Sequence, residues 1–110
     1  MISISIYRNE INEICQFNIS GHAQAAAHGE DIVCAAVSVL GQTTIIGLHE
    51  ILKIDIEFKI NNGFLQCKIP KNITVKQRQE ANILLETMVM GLKNIKLGYS
   101  EYIDIHDKEV

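Results

Sequence analysis

The chain has 110 residues, 47% hydrophobic and 21% charged, a balance typical of a single soluble domain spanning residues 1–110. Its formal net charge of -3 argues against a nucleic-acid-binding protein, which needs a basic surface. Three cysteines without a C-x-x-C pair fit neither a disulfide framework nor a common zinc site, so no metal or cofactor is expected.

The first twenty residues show the alternation of two β-strands. Ile2, Ile4 and Ile6 alternate with polar residues, and residues 15–20 alternate in the same way, so the two segments are predicted to form a hairpin. A secretory signal peptide would instead begin with a charged segment and an apolar run. We therefore expect a cytoplasmic protein whose cysteines stay reduced.

The stretch from Gly21 to Glu30 is small and polar, and its alanine-rich middle has no large apolar side chain to bury. This composition predicts a mobile loop. Gly21 and Gly29 bracket the loop and can serve as hinges, so we expect it to close over a bound substrate.

A long apolar helix is predicted from Asp31, as its N-cap, to about Leu52. Residues 32–49 contain no Asp, Glu, Lys or Arg, which raises the question of a membrane span. Polar residues and glycines interrupt this segment, namely Ser38, Gly41, Gln42, Thr43, Thr44 and Gly47. A helix buried on most sides, with no membrane contact, is therefore the better interpretation.

Two further strands are predicted after this helix. Residues 54–60 and residues 65–69 each alternate apolar and polar side chains. Asn61-Asn62-Gly63 between them is typical of a hairpin turn, because Asn and Gly tolerate positive φ.

The last part of the chain predicts a second helix and a final strand. Thr74 and Gln77 have the spacing of a capping box, and the helix that they begin runs to about Leu97, with Gly98 as its stop. Ile103 and Ile105 indicate a short closing strand. The resulting order is ββαββαβ, an α+β fold with a mostly antiparallel sheet and two helices.

Cys34 is the residue best placed for chemistry. With Asp31 as the N-cap, Cys34 would be the third helical residue, where the helix dipole and free N–H groups favour its thiolate. The same N–H groups could face a developing oxyanion. His22, at a strand end twelve positions earlier, is the candidate base that later protonates the leaving amine. The pair predicts nucleophilic catalysis.

The spacing of the cysteines also allows other interpretations. A free cysteine in an apolar helix is commonly a packed residue, so Cys34 could be part of the core. Cys15 and Cys67 are in phase with apolar strand neighbours and are expected to be buried. A thiol redox protein would need a resolving cysteine near Cys34, and neither of these two forms a C-x-x-C pair with it.

The remaining histidines suggest weaker alternatives. His28 is an alternative base in the loop, His49 is expected to be packed or interfacial, and His106 is expected to be solvated. A zinc site built from His22, His28 and Cys34 matches no common ligand spacing.

One segment resembles the signature of a known family. Gly21-His22-Ala23 is followed by Gly29 and then by Asp31-Ile32-Val33-Cys34-Ala35-Ala36-Val37-Ser38. This string resembles the signature of the ribosomal-processing cysteine protease family, Prp. The similarity extends over the whole chain, from the opening strand pair to the closing helix and the glycine after it. The block around Cys34 is specific, because it combines cap, nucleophile and small residues in a fixed order.

The resemblance implies a bacterial cysteine endopeptidase that removes the N-terminal extension of a large-subunit ribosomal protein and so supports ribosome assembly. It implies Cys34 as the nucleophile, His22 as the base, and a homodimer. Gly21, Asp31 and Ser38 match the motif as supporting residues, and Asp31 either caps the helix or orients His22. The alternative is a non-catalytic ribosome-associated binding protein of the same fold, which would commonly have lost one member of the His22 and Cys34 pair.

Overall fold

The computed structural model of the chain describes residues 1–21 and 28–109, with the backbone alone at residues 28–31, 108 and 109. Its strands are β1 (Ile2–Arg8), β2 (Ile14–Ser20), β3 (Glu57–Asn61), β4 (Phe64–Lys68) and β5 (Ile103–Glu109). Its helices are α1 (His28–Ile46), which a π-helical turn over Gly47–Ile51 continues, and α2 (Val75–Gly98). The predicted order ββαββαβ and the α+β class are confirmed.

The five strands form one sheet in the order β3-β4-β2-β1-β5. All neighbours are antiparallel except β1 and β5, which run parallel. Ser20 at the end of β2 lies opposite both Ser3 of β1 and Phe64 of β4. The end of β2, the start of β1 and the β3–β4 turn therefore meet at one end of the sheet.

The core lies between one face of this sheet and the two helices. The sheet contributes alternate strand residues that are almost fully buried: Ile2, Ile4, Ile6, Phe17, Ile19, Leu65, Cys67 and Ile103. The helices contribute residues at helical spacing: Val33, Val37, Leu48, Ala81, Leu85, Met88 and Leu92. Burying each large aliphatic side chain contributes about 1.5–3 kcal/mol, so this layer of contacts is what holds α1 in place on the sheet.

Helix α1 begins earlier than predicted. Its first residue is His28, so Asp31 lies inside the helix, and its predicted role as the N-cap is wrong. Cys34 is consequently the seventh helical residue, at the end of the second turn, and not the third. The physical reason is that the helix dipole favours acidic residues such as Glu30 and Asp31 in the first turn of a helix, so they need not lie outside it. The rest of the predicted mobile loop, residues 22–27, lies outside the described residues.

Strand β3 begins later than predicted. The alternation from residue 54 reflects burial of Ile54 and Ile56, which are not paired in the sheet. The π-helical turn ends with a bond from the Leu52 N–H to the Gly47 carbonyl (3.0 Å), and Lys53 adopts a positive φ of 57°. This left-handed residue redirects the chain, so regular pairing starts only at Glu57.

The predicted turn and capping box are confirmed. Asn62 and Gly63 form the turn between β3 and β4, and Gly63 has a φ of 78°. The Thr74 hydroxyl accepts from the Gln77 N–H (3.0 Å), and the Gln77 side chain accepts from the Thr74 N–H (3.0 Å). Local signals with their own hydrogen bonds were thus reliable guides to where elements begin and end.

One helical segment, Ile32–Ile51, is long and apolar enough to cross a membrane on length and composition alone. The core helix of a soluble protein passes the same test. Here one side of the segment packs against the sheet through Val33, Val37 and Leu48, which are at most 1% exposed. Only 33% of the apolar window is buried, so the segment is a core helix on one side alone, and the prediction of a helix buried on most sides is wrong.

Arg8 anchors the end of the sheet away from Gly21. It is 7% exposed and is the one buried charged residue in the part of the chain that the structure describes. Its guanidinium donates to Glu86 (2.6 and 3.1 Å) and to Asp107 (2.8 and 3.1 Å). The hydrogen bond from Arg8 holds the pKa of Asp107 below its usual range. β1, α2 and β5 are therefore fastened together by one side chain.

Replacing Arg8 by methionine is expected to lower the free energy of unfolding by about 2 kcal/mol, because two carboxylates lose a buried partner and the partial exposure of Glu86 limits the loss. Asp107 has a lower pKa in the folded chain than in the unfolded one. Ionised Asp107 therefore stabilises the fold fully at pH values above about 3.9, the pKa of Asp in an unfolded chain. This stabilisation is lost as the pH falls through the lower pKa that Asp107 has in the folded chain. In urea unfolding, the difference in the free energy of unfolding between wild type and Arg8→Met should be largest near neutral pH and should become smaller in acid.

The control for this comparison is the exposed ion pair between Lys68 and Glu57, whose charged atoms are 3.7 Å apart. Lys68→Ala should change the free energy of unfolding by no more than about 0.5 kcal/mol. A gap for Arg8→Met that stays constant from neutral pH to about pH 2 would show that its carboxylate partners do not carry the effect.

Candidate active site

Cys34 opens onto a small cavity at the end of the sheet where β1, β2 and the β3–β4 turn meet. The cavity has a volume of about 170 Å³. Helix α1 contributes one wall, and the opposite wall is formed by the turn and its flanking strand ends. The lining residues are Ile19, Gly21, Cys34, Ser38, Gln42, Ile60, Asn61, Asn62, Gly63, Phe64 and Leu65. Two of the predicted supporting residues, Gly21 and Ser38, are thus brought together with Cys34.

The helical period explains why one side of α1 forms the wall. Cys34, Ser38 and Gln42 are four residues apart, so their side chains follow one another along one side of the helix. Gly41 lets this helix lie close to the sheet. A Cβ at that position would stand 2.9 Å from the Ile19 Cδ1 atom, which is closer than side chains tolerate. The depth of the cavity therefore depends on a residue that does not line it.

Gly21 fixes the chain at the floor of the cavity. Its φ is 98°, and a Cβ there would collide with the Met1 carbonyl oxygen. Its N–H donates to the Gly63 carbonyl (3.0 Å), which ties the end of β2 to the β3–β4 turn. Only glycine fits both the conformation and the close approach. The chain continues from this fixed point directly into His22, which lies outside the described residues.

The three cysteines lie in different environments. Cys67 is fully buried, as predicted, and burial raises the pKa of its thiol to about 12. Cys15 is only partly buried, so its predicted burial is correct in part, and its S–H donates to the Tyr7 carbonyl (3.3 Å). Cys34 is a free, half-buried thiol, and of the three it alone lines the cavity beside α1. Partial exposure is what a reactive cysteine requires.

The described histidine side chains lie away from Cys34. His49 is half-exposed, with its Nδ1 atom 3.3 Å from a carboxylate oxygen of Glu50, and packs edge-on against Phe58. His106 is also half-exposed and is paired with Asp104 at 2.9 Å. Neither lines the cavity. The exposure of His106 agrees with its predicted solvated position, and the predicted packed or interfacial role of His49 stays a prediction. The backbone of His28 begins α1, and its side chain lies outside the described part.

The predicted source of oxyanion donors needs correction. Because Cys34 lies in the second turn of α1, its N–H is placed for the intrahelical bond and is not one of the free groups of the first turn. The cavity instead presents side-chain donors, the hydroxyl of Ser38 and the amides of Gln42, Asn61 and Asn62. Among the described residues, none of these four side chains makes a hydrogen bond within the chain. They are suited to bind the polar backbone of a peptide.

A larger cavity of about 660 Å³ lies around Cys15, Pro70 and Arg78. Neither of the two histidines with described side chains lines it, and the Cys15 thiol is engaged with a backbone carbonyl. Arg78 is also occupied, since it donates to the Ile14 carbonyl (2.6 Å). The described residues contain no group of three His, Cys, Asp or Glu side chains that could hold a metal ion.

A half-buried free thiol beside a cleft lined with hydrogen-bond donors is an arrangement that a thiol hydrolase acting on peptides can use. Residues 1–104 match the model of the family described as Cysteine protease Prp, so the chain belongs to this family and is a cysteine protease. It is 28% identical over 107 residues to the ribosomal processing cysteine protease Prp of Bacillus subtilis (strain 168), covering 96% of each chain. It is 30% identical to the protein of that name from Staphylococcus aureus (strain Mu50 / ATCC 700699), covering 98% of this chain and 100% of the relative.

Solved structures share the fold over the full chain. The protease Prp from S. aureus in complex with a substrate peptide has a TM-score of 0.86 at 23% identity and covers 98% of this chain and 100% of that chain. The S. aureus enzyme with a covalently linked product peptide has a TM-score of 0.83 at 24% identity, with the same coverage. SMU.848 from Streptococcus mutans has a TM-score of 0.86 at 23% identity and covers 100% of this chain and 96% of that chain.

Several residues that line the cavity were not predicted as site residues from the sequence. Gln42 continues the four-residue spacing from Cys34 and Ser38, so the helical period could have found it. Ile60 and Asn61 carry no local signal for a site, because they reach Cys34 only through the pairing of β3 with β4 and of Gly21 with Gly63.

Proposed function

We propose that the whole chain is one cytoplasmic protease domain that removes the N-terminal extension of a large-subunit ribosomal protein. The observation that carries the proposal is the free Cys34 thiol on the wall of a cavity with unengaged hydrogen-bond donors. The names of the curated relatives, ribosomal processing proteases, support a ribosomal protein as the substrate. The S. aureus complexes with a substrate peptide and a covalently linked product peptide support a peptide as the bound substrate. The proposal involves no metal, cofactor, nucleic acid or membrane.

In the proposed reaction the Cys34 thiolate attacks the carbonyl carbon of the scissile bond, and the carbonyl electron pair moves onto oxygen. His22 takes the thiol proton and gives it to the amine nitrogen as the C–N bond breaks, which leaves a thioester on Cys34. A water that loses its proton to His22 then attacks the thioester. The C–S bond breaks, the acid product leaves and loses its proton to solvent as a carboxylate, and His22 returns its proton to the Cys34 sulfur, which restores the thiol.

Three residues support this pair in the proposal. Gly21 holds the chain at the cavity just before His22, through its bond to the Gly63 carbonyl. Ser38, one turn beyond Cys34, offers a hydroxyl to the peptide backbone. For Asp31 we retain the role of orienting His22, which the resemblance implied, since Asp31 lies inside α1 and is not its N-cap.

The direct test is incubation of the purified protein with the ribosomal protein that carries its N-terminal extension. Mass spectrometry should show one new N-terminus and one released segment, at a rate proportional to the protein concentration. The mature form without the extension is the matched control and should stay intact. Cleavage of the mature form at many sites, or no cleavage of the precursor, would refute the proposed function.

The proposal includes a homodimer, because the outer face of the helical layer is apolar. Two rows of large side chains, each spaced by seven residues along its helix, are at least half exposed there: Ile32, Val39 and Ile46 on α1, and Ile83, Met90 and Leu97 on α2. Exposed apolar rows of this kind favour a protein interface, and a second copy presents the same rows.

Val39→Glu is expected to shift the protein from dimer to monomer, because it places a charge in the middle of the α1 row. Sedimentation at micromolar concentration gives the measurement. Ile11→Glu is the matched control, since Ile11 is 75% exposed and lies outside the helical layer, and it should remain dimeric. A monomeric wild type, or an unchanged dimer in Val39→Glu, would refute the interface.

A further inference from the structure

The edge strand β3 carries two apolar side chains that the helices leave uncovered. Phe58 and Ile60 lie on the helix-facing side of the sheet, because their partners in β4, Cys67 and Leu65, are buried there. Cys67 and Leu65 are at most 5% exposed, whereas Phe58 is 46% and Ile60 is 47% exposed. The sheet therefore extends beyond α1 and leaves an apolar shelf at its β3 edge.

This shelf is continuous with the cavity of Cys34. Ile60 lines that cavity together with Ser38 and Gln42. At the far end of the shelf the ring of His49 meets the ring of Phe58, with centroids 6.3 Å apart and an interplanar angle of 65°. His49 follows Cys34 by fifteen positions, which corresponds to about 22 Å of helix. Ile60 thus joins the cavity of Cys34 to the exposed Phe58 side chain and its contact with His49. We call this stretch of α1 and β3 the groove.

The backbone of β3 is also available along this groove. The two-residue turn makes Asn61 and Phe64 a hydrogen-bonded pair, so the alternation of an antiparallel ladder directs the N–H and C=O groups of Phe58 and Ile60 away from β4. Within the described part of the chain these outward groups make no backbone hydrogen bond. An extended peptide is the ligand that can use apolar side-chain contacts and backbone bonds together.

We infer that Ile60 and Phe58 form remote subsites for the substrate of Cys34. An extended segment of about six residues spans the groove at about 3.3 Å per residue. Gln42 binds its backbone near the scissile bond, and a large apolar side chain packs against Phe58 at the far end. His49 holds the Phe58 ring edge-on and is a positioning residue. This assignment rests on the proposed peptidase function and extends it to the substrate: an extended peptide with an apolar residue several positions from the cleaved bond.

The test compares Phe58→Ala with wild type on three peptides from the precursor. One extends eight residues to either side of the scissile bond, and the other two keep only two residues on one side. For the long peptide, kcat/KM should fall about tenfold, mainly through KM, as expected when one large hydrophobic contact is lost. For the short peptide that no longer reaches the shelf, kcat/KM should be the same in both proteins. The rate at which iodoacetamide alkylates Cys34 should not change.

Lys59→Ala is the matched control, because Lys59 is exposed on the same strand and points to the opposite face. It should cleave all three peptides like wild type, and Phe58→Leu should keep most of the activity on the long peptide. Equal losses on all three peptides, or no loss on any, would overturn the groove. Unchanged kinetics with a smaller sedimentation coefficient would assign the shelf to a second copy. If wild type cleaved none of the peptides, both the groove and the proposed peptidase function would be refuted. This outcome differs from the others, in which wild type cleaves the long peptide.

Discussion

Cys34→Ala is expected to lower precursor cleavage by about a thousandfold or more, because it removes the atom that forms the thioester. The fold should survive the change. Cys34 is only half-buried and contacts the edge of the core, so losing one sulfur atom should cost no more than about 1 kcal/mol. Initial rates from mass spectrometry of the precursor measure the first effect, and urea unfolding measures the second.

Cys15→Ala is the matched control for this substitution. Cys15 is also a free, partly buried thiol, but it lines the other cavity. It should keep full activity. Iodoacetamide should label Cys34 well before Cys67, because burial raises the pKa of Cys67 to about 12 and keeps that thiol protonated near neutral pH. Normal processing of the precursor by Cys34→Ala would refute the assigned nucleophile.

The sequence predicted those parts of the fold whose causes are local. Alternation in β1 and β2 reports which side of a strand faces the core, and both strands and their hairpin were found as predicted. The capping box at Thr74 carries its own two hydrogen bonds, so its position does not depend on the rest of the molecule. These features set the element order, and the order largely sets the class of fold.

Boundaries with no local signal of their own were predicted less well. Residues 28–30 have no apolar period, so the strong N-cap preference of Asp31 appeared to start α1, although the helix begins at His28. Ile54 and Ile56 alternate as in a strand because both are buried, yet the positive φ of Lys53 keeps them out of the ladder. Burial and pairing give the same pattern in sequence, and only tertiary structure separates them.

The candidate site also has one part that local sequence signals predict and another part that depends on tertiary structure. Cys34 and Ser38 share one side of α1 because of the helical period, which the sequence contains. The opposite wall depends on the bond from the Gly21 N–H to the Gly63 carbonyl, which joins residues far apart in the chain. The oxyanion donors were predicted in the first turn of α1 because Asp31 was placed outside the helix. With the helix start corrected, the side-chain donors that line the cavity take the place of those N–H groups in the proposal.

His22→Ala is expected to lower kcat about a hundredfold or more and to leave substrate affinity within about twofold, because a base that transfers protons acts on the reaction and not on binding. This expectation comes from the position of His22 in the chain. Gly21 lines the cavity of Cys34, and the chain continues from it into His22. The two histidines whose side chains are described, His49 and His106, do not line that cavity. Steady-state kinetics give kcat, and calorimetry of the precursor with Cys34→Ala and with Cys34→Ala/His22→Ala compares affinity without turnover.

Two controls separate a chemical role of His22 from a structural one. Added imidazole should restore part of the activity of His22→Ala, since a small base can occupy the space of the missing ring, and it should restore none to Cys34→Ala, which lacks the nucleophile. His28→Ala replaces the alternative base and should keep most of the wild-type rate. If His28→Ala is inactive and responds to imidazole while His22→Ala is active, the proton is carried by His28. The base for thioester formation would then be positioned by the start of α1, and not by the chain that follows β2.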